Sequence, residues 1–523
     1  MTLPSRVGVN VSSRNNRRNA FLNPTAILLY IALSDFVFHM IISNNYGYFR
    51  DELYYIVAGQ RLSFGYVDFP PVIAVLAAIM NLIAGDSLVS IHVIPALAGS
   101  AIVFLAGKIA KELGGGMKAQ VLAALATMFS ASFAVASIFS MDVLDMMWWT
   151  LLAYLIVRII KVDDRDPKLW IAFGVVAGIG LMTKLTIAFF LLSLLIALSL
   201  TSKRSYLRSK WVWIAAGISF LIVLPYIIWN SQNSWATVDF FIHHGGLNGG
   251  GPVSFLAYQV LIGGILGIPL AIAGLLYFLR SRSAGRSYAV LGLSFIILLA
   301  FFTLTNGKPY FFMGAYPFAF AGGSIIIEKA SSRRRFVWPT YLIGVIVVGL
   351  IFVPLYTPAL PPQTYVKYYG GLTGTANGAE SHGNAGAFPQ YLGDRFGWDT
   401  MTRTVQQVYD NLPQQQRVEA CILTLNYGEA SALIFLGKSY NLPPVISGHN
   451  NFYLWGPGNC TGQVLIIIGY YPSDFQGDFK SLYVAGNITC SYCVTEENNL
   501  PVIVGIGLNS TAGSAWPSIK HYD

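Results

Sequence analysis

Two segments, Tyr46-Gly-Tyr-Phe-Arg-Asp-Glu-Leu-Tyr-Tyr55 and Gly65-Tyr-Val-Asp-Phe-Pro-Pro71, gather Arg50, Asp51, Glu52, Arg61 and Asp68 in a chain that is 54% hydrophobic and only 11% charged. Ionisable groups are costly where water is scarce, so such a cluster points to function. The chemistry within its reach has two parts. A carboxylate can act as a general base toward a hydroxyl. An arginine or lysine can stabilise charge developing on a phosphate.

Other residues extend this inventory. Asp142 and Asp145, in Ser140-Met-Asp-Val-Leu-Asp145, share one face of a helical turn. Lys184 lies in the hinge Met182-Thr-Lys-Leu-Thr186, and Lys308 and Tyr310 in Asn306-Gly-Lys-Pro-Tyr310. His243 and His244 open a glycine-rich run ending at Gly251. Neighbouring histidines point in different directions, so no metal site is expected there; the glycines suit close backbone approach to a ligand. Plainer readings exist for each. Asp51 would cap a helix, Ser140 or Asp142 would cap another with Asp145 facing water, and Lys184 would snorkel. Capping alone does not account for an Arg-Asp-Glu triplet followed by Asp68.

The elements that hold these residues follow from composition. A mean hydropathy of +0.56, with 33 Phe and 29 Tyr in 523 residues, defines an α-helical polytopic membrane protein. Apolar stretches long enough to span about 30 Å of hydrocarbon fall near 21–43, 88–111, 118–138, 146–161, 169–183, 185–201, 211–229, 254–279, 288–305, 310–327 and 336–356, which predicts about 11 transmembrane helices. The net charge of +9 comes largely from clusters between them: Arg6, Arg14, Arg17 and Arg18; Lys108, Lys111 and Lys118; Lys161, Arg165 and Lys168; Lys203, Arg204, Arg208 and Lys210; Arg280, Arg282 and Arg286; Lys329, Arg333, Arg334 and Arg335. The positive-inside rule accounts for these without a nucleic-acid partner. It puts the N-terminus in the cytoplasm and the charged loops above on the outer face of the plasma membrane. The first span, carrying Asp35 and His39, reads as a signal anchor. Residues 51–60 suit a short amphipathic helix at the interface, and Pro70-Pro71 the start of another.

Residues 1–356 thus form a membrane domain and 357–523 a small extracytoplasmic α/β domain, introduced by Pro354, Pro358, Pro361 and Pro362. Segments 419–425, 463–469 and 501–507 read as buried strands, and 399–411 and 427–438 as helices. All four cysteines, Cys421, Cys460, Cys490 and Cys493, lie in this domain. Structural disulfides or buried thiols are expected rather than a metal half-site. Sequons at Asn459, Asn487 and Asn509 are read as chance occurrences.

Carboxylates at 51, 52, 68, 142 and 145 and cations at 50, 184 and 308 on one face suit sugar transfer from a lipid phosphate. The same residues carry a resemblance. Arg50-Asp-Glu-Leu-Tyr-Tyr55, Gly65-Tyr-Val-Asp-Phe-Pro-Pro71, the Asp142/Asp145 turn, Thr183-Lys184, Gly307-Lys-Pro-Tyr310 with Ala315-Tyr-Pro317, and Leu442-Pro-Pro-Val-Ile-Ser-Gly-His-Asn450 resemble the bacterial and archaeal branch of the protein mannosyltransferase and aminoarabinose transferase superfamily. The resemblance runs from residue 46 to about residue 455. It implies the GT-C fold and an inverting glycosyltransferase that uses a polyprenyl-phosphate-linked sugar, with Asp51 as base. Glu52 and Asp145 would shape the donor and acceptor pocket. Arg50, Lys184 and Lys308 are expected at the phosphate, and Asp68, Asp142, His243, His244 and Tyr310 complete the expected substrate-binding set. The partners implied are the lipid-linked donor, a lipid, glycan or protein acceptor, and the bilayer; no cofactor is implied, and a divalent metal is left open. The chain lacks the large β-trefoil insertion of the eukaryotic protein mannosyltransferases.

Two other classes fit the sequence less well. A transporter or lipid flippase with an exported domain would use Asp35 and His39, one helical turn apart, as a site within the membrane. A non-catalytic relative would bind glycan or a partner through the exported domain.

Overall fold

The computed structural model describes residues 23–243, 250–280, 287–373 and 387–522. Every apolar stretch becomes helical, but not every one is long enough to cross a bilayer unaided. Six helices are, counting the short 3-10 lead-in Pro309–Ala315 with α13: α1 (Pro24–Ile42), α4 (Leu88–Glu112), α6 (Met141–Lys161), α9 (Lys210–Gln232), α13 (Tyr316–Arg333) and α14 (Val337–Tyr356). Two expected spans are bent pairs. One is α8 (Thr186–Leu200) with the 3-10 turn Ser202–Arg208, bent by 114°; the other is α10 (Pro252–Gly263) with α11 (Gly267–Arg280), bent by 98°. Three more, α5 (Met117–Met128), α7 (Pro167–Leu181) and α12 (Ala289–Leu304), have 12, 15 and 16 residues. At 1.5 Å per residue these fall short of the hydrocarbon thickness. Apolarity marks the segment; breaks at Thr201 and Gly264 set its length, and broken helices are tolerated where protein covers the freed backbone.

The two ends of the bundle differ. At one, Lys161 pairs with Glu112 at 2.8 Å, Lys203 with Asp163 at 2.8 Å, and Glu328 accepts from the Gly116 N–H at 2.7 Å. This end carries the basic loops around Lys118, Lys161 and Lys203. Helix α6 runs from there to Asp142 at the other end, where Lys184 and Asp51 also lie. Small residues let helices approach closely, as membrane bundles require. A Cβ on Gly274 of α11 would overlap the Ala319 carbonyl oxygen of α13, and one on Gly323 would overlap the carbonyl of Leu270.

Between the first two long helices lie α2 (Arg50–Gly59) and α3 (Val72–Ala84). The amphipathic interfacial helix expected at 51–60 takes a different position. Residues Glu52 to Ala58 of α2 are all buried, because the C-terminal region packs on the side expected to face water. Helix α3 is apolar but for Asn81 and exposes Leu82 and Ile83.

The C-terminal region carries a five-stranded sheet in the order β2-β1-β3-β5-β4. Strands β1 (Ala420–Thr424), β2 (Val445–Ser447) and β3 (Val464–Ile468) are parallel; β5 (Leu500–Leu508) runs antiparallel to β3 and to β4 (Phe479–Ile488). Continuous apolar runs such as Val464-Leu-Ile-Ile-Ile468 suit strands buried on both faces. Helices α15 (Trp398–Asn411) and α16 (Tyr427–Phe435) cover the sheet. Cys421 and Cys460 form a disulfide, whereas Cys490 and Cys493 are free thiols.

Replacing Gly274 by Leu should cost more than about 2 kcal/mol, because backbone rather than a flexible side chain faces the site. A lowered thermal midpoint in detergent checks this; a midpoint equal to the native protein's would contradict it.

Candidate active site

The site forms where α2 is held between the bundle and the C-terminal region. Its first turn is organised by Glu52. One carboxylate oxygen accepts from the Phe49 N–H at 2.9 Å, and the other accepts from His92 Nε2 at 2.8 Å and the Phe139 N–H at 2.7 Å. His92 Nδ1 in turn reaches the Ser43 carbonyl at 2.7 Å. Glu52 is fully buried, yet the His92 pairing and these hydrogen bonds hold its carboxyl below the ordinary range despite the opposing effect of burial. The buried Arg395 guanidinium adds to this and donates to the Ser137 carbonyl at 2.7 Å. Glu52 thus fastens three segments of the chain together. It also takes the capping contact expected of Asp51.

Freed from capping, the partly exposed Asp51 carboxylate turns to the C-terminal region, where the Tyr427 hydroxyl donates to Oδ1 at 2.7 Å. Burial raises its pKa above the ordinary carboxylate value, opposed by Arg50 and the Tyr427 hydrogen bond and reinforced by Asp142 and Glu52. Arg50 pairs with buried Asp394 at 3.3 Å and lies over the Tyr427 ring at 5.5 Å. Its guanidinium is therefore engaged by the C-terminal region. Gly428 permits this approach, since a Cβ there would meet the Arg50 side chain at 2.5 Å.

Asp68 accepts from the Tyr54 hydroxyl at 3.1 Å, and that hydroxyl receives the Asn451 amide at 2.8 Å. Asn451 Oδ1 accepts in turn from the Val67 N–H at 3.2 Å. Tyr54 also stacks on Tyr427, ring centroids 4.6 Å apart. Burial pushes the Asp68 carboxyl up to about 7. Lys184 forms an ion pair with Asp142 and lies 4.9 Å from the ring centroids of both Tyr310 and Phe311. It is paired rather than snorkelling. Ser140 caps α6 through the Asp142 N–H, and Asp145 is buried, accepting from Trp149 Nε1 at 3.1 Å rather than facing water.

Of the remaining expected residues, Lys308 is half-buried at the start of the turn that carries Tyr310. His243 ends a short helix beginning at Ala236, and His244 lies outside the described residues, as do Arg6, Arg14, Arg17, Arg18, Arg282 and Arg286. No group of three or more metal-ligating side chains occurs among the described residues. Asp35 and His39 are buried in α1, with the imidazole bonded to the carbonyls of Asp35 at 2.8 Å and Phe133 at 3.0 Å. That is a structural contact between helices.

Sequence reasoning did not single out Tyr427, Asn451, His92 or Asp394. The sequence marks the segment ending in His449-Asn450 as a motif but assigns it no role. Its role is geometric: the loop after β2 places His449 Nδ1 where it accepts the Tyr427 N–H at 3.2 Å.

A family model for dolichyl-phosphate-mannose-protein mannosyltransferase matches residues 68–229. A curated relative, undecaprenyl phosphate-alpha-4-amino-4-deoxy-L-arabinose arabinosyl transferase 1 of Pseudomonas fluorescens, is 25% identical over 320 residues. The match covers 57% of this chain and 56% of that one, so the chain spans little more than half of the relative. The crystal structure of ArnT from Cupriavidus metallidurans bound to undecaprenyl phosphate shares the fold, with a TM-score of 0.60 at 13% identity, covering 91% of this chain and 97% of that one. The apo state gives 0.61 at 13% identity, covering 97% and 99%. The chain has the GT-C fold of a multi-pass membrane protein, and its architecture is ArnT-like, from the apolar helices to the small C-terminal sheet.

Two predictions follow from the buried charges. Glu52→Ala leaves His92 and Arg395 without their counter-charge and should cost about 3–5 kcal/mol, read as a lower thermal midpoint; an unchanged midpoint would refute the fastening role. Burial raises Asp394 to about 6, Asp68 to about 7 and also Glu497, a buried carboxylate before β5 that accepts from the Asn426 side-chain amide at 2.9 Å, to about 7. Unfolded, these groups titrate near 4, so between about pH 4 and 7 the folded state binds more protons and stability falls as pH rises. Glu52 acts oppositely, its contribution being lost only as pH falls through its lowered folded value. The thermal midpoint should therefore be higher at pH 5.5 than at 7.5, and Glu497→Gln should flatten the difference. A midpoint that rises over that interval would contradict the account.

Proposed function

We propose that the chain is a membrane glycosyltransferase that moves a sugar from a polyprenyl-phosphate donor to an acceptor hydroxyl with inversion, Asp51 acting as base. In this reading residues 1–356 form the transmembrane domain, the N-terminus is cytoplasmic, and residues 357–523 form an extracytoplasmic domain that closes over the site. The observation that carries it is the juxtaposition of a partly exposed Asp51 carboxylate with the Lys184–Asp142 pair, at the end of the bundle opposite the basic loops.

The step balances without another reactant. Asp51 takes the acceptor hydroxyl proton while the hydroxyl oxygen bonds to the anomeric carbon. The bond from that carbon to the phosphate oxygen breaks, and the lipid phosphate leaves with the electron pair. Lys184, positioned by Asp142 and two aromatic rings, is assigned to the departing phosphate, with Lys308 and Tyr310 bordering it. Arg50 is reassigned from phosphate contact to holding Asp394 and Tyr427, and Glu52 to fastening α2. Asp68 and Asp145 shape the pocket through Tyr54 and Trp149. Support for the donor class comes from the mannosyltransferase family match and the ArnT-like fold. Both nitrogens of His39 are bonded to backbone, which favours this reading over a transporter that would use Asp35 and His39 as its site.

Asp51→Asn should lower kcat by about 10²- to 10⁴-fold, the usual span for a general base. The assay is transfer from a purified polyprenyl-phosphate sugar in proteoliposomes. Native turnover in this variant would overturn the assignment.

A further inference from the structure

Tyr427 opens α16 in the C-terminal region, yet its hydroxyl ends on the carboxylate of Asp51, 2.7 Å from Oδ1. Several independent contacts fix it there. The ring stacks on Tyr54, with the Arg50 guanidinium 5.5 Å from its centroid. Its backbone N–H donates to His449, whose ring lies 4.9 Å from the phenol and 4.6 Å from that of His521. The helix start is itself locked: Asn426 Oδ1 accepts the Glu429 N–H at 2.9 Å, and Glu429 accepts the Asn426 N–H at 3.1 Å. The Asn-x-x-Glu spacing is that of a capping box. A phenol drawn out of water needs a hydrogen-bond partner, and this half-buried one is aimed at a carboxylate carried by a different part of the chain.

We propose that Tyr427 is a positioning residue for sugar transfer: its O–H pins Asp51 Oδ1 and leaves Oδ2 as the atom that takes the acceptor proton. This rests on the reading of Asp51 as base. The phenol keeps its own proton throughout. A rotating carboxylate would present either oxygen, whereas a pinned one presents one oxygen in one direction, which is how orientation contributes to rate. The α/β region is then part of the reacting constellation, and its docking assembles the base. The charged and titratable groups around Asp51 are Arg50, Glu52 and Tyr55 on its own helix, Asp68 in the following loop, Asp142 on α6, and Asp394 and Tyr427 from the C-terminal region. Among these groups, Tyr427 donates a hydrogen bond directly to the carboxylate.

The test is the pH dependence of kcat for full-length protein in proteoliposomes supplied with a polyprenyl-phosphate sugar. Tyr427→Phe removes a hydrogen bond that favours the charged carboxylate, so the ascending limb should move to higher pH by about one unit. The kcat below that limb should fall about 10-fold, matching one unit of pKa, with donor KM within about twofold. Incorporating 3-fluorotyrosine at 427, a more acidic phenol of nearly the same shape, should move the limb the other way. Adding Tyr427→Phe to Asp51→Asn should slow the enzyme no further than Asp51→Asn alone. A limb unmoved in both tyrosine variants, or equal slowing by Tyr427→Phe with and without Asp51, would overturn the proposal while leaving the base assignment intact. Turnover retained by Asp51→Asn would instead overturn the base assignment. If Tyr427→Phe does not fold, the fluorotyrosine enzyme decides the matter.

Discussion

The site depends on how α2 tolerates its burial. A helix beginning Arg-Asp-Glu is enclosed between an apolar bundle and an α/β region, and an unpaired charge there would cost several kcal/mol. Glu52 meets the cost with His92, the Phe49 and Phe139 N–H groups and nearby Arg395. Arg50 meets it with Asp394. Because these two are spoken for, Asp51 between them is left partly open, with a single phenol holding one oxygen. Pairing of the flanking charges is what leaves the middle one open, as the proposed role of Asp51 as base requires.

The same principle operates at the other side of the site. Lys184 and Asp142 form a pair set against aromatic rings, so an ammonium is held ready at low entropy cost. The C-terminal region contributes more than a cover. Its contacts to α2 at Arg50, to the following loop through Asn451, and to the segment before α6 through Arg395 draw three loops of the bundle toward one point. Lys520, near the end of the chain, adds a fourth by pairing with Asp239 at 3.3 Å.

Much of this was legible in the sequence for a plain reason: apolar runs and charge clusters are local signals. The membrane class, the apolar helical segments, the three central strands and the clustering of charge at Arg50–Glu52 all derive from such signals. What was not legible is long-range. The amphipathic appearance of 51–60 gave no hint that α16, more than 350 residues further on, would bury it. The division of labour within the triplet depends on His92 and Tyr427, which no spacing rule connects to position 52 or 51. Span lengths were overestimated at 118–138 and 254–279, where apolar composition continues across backbone breaks at Phe129 and Gly264. The edge strand β4 escaped notice because its residues are largely exposed and do not alternate cleanly.

The account stands on transfer from a lipid phosphate through a single displacement at a base-activated hydroxyl. Its most direct test is the anomeric configuration of the product. Purified protein in proteoliposomes would be given synthetic polyprenyl-phosphate sugars of known configuration with an acceptor, and the glycosidic linkage assigned by NMR. Inversion at the anomeric carbon is the predicted result. Retention of configuration, or movement of intact lipid across the bilayer without any transfer, would contradict it.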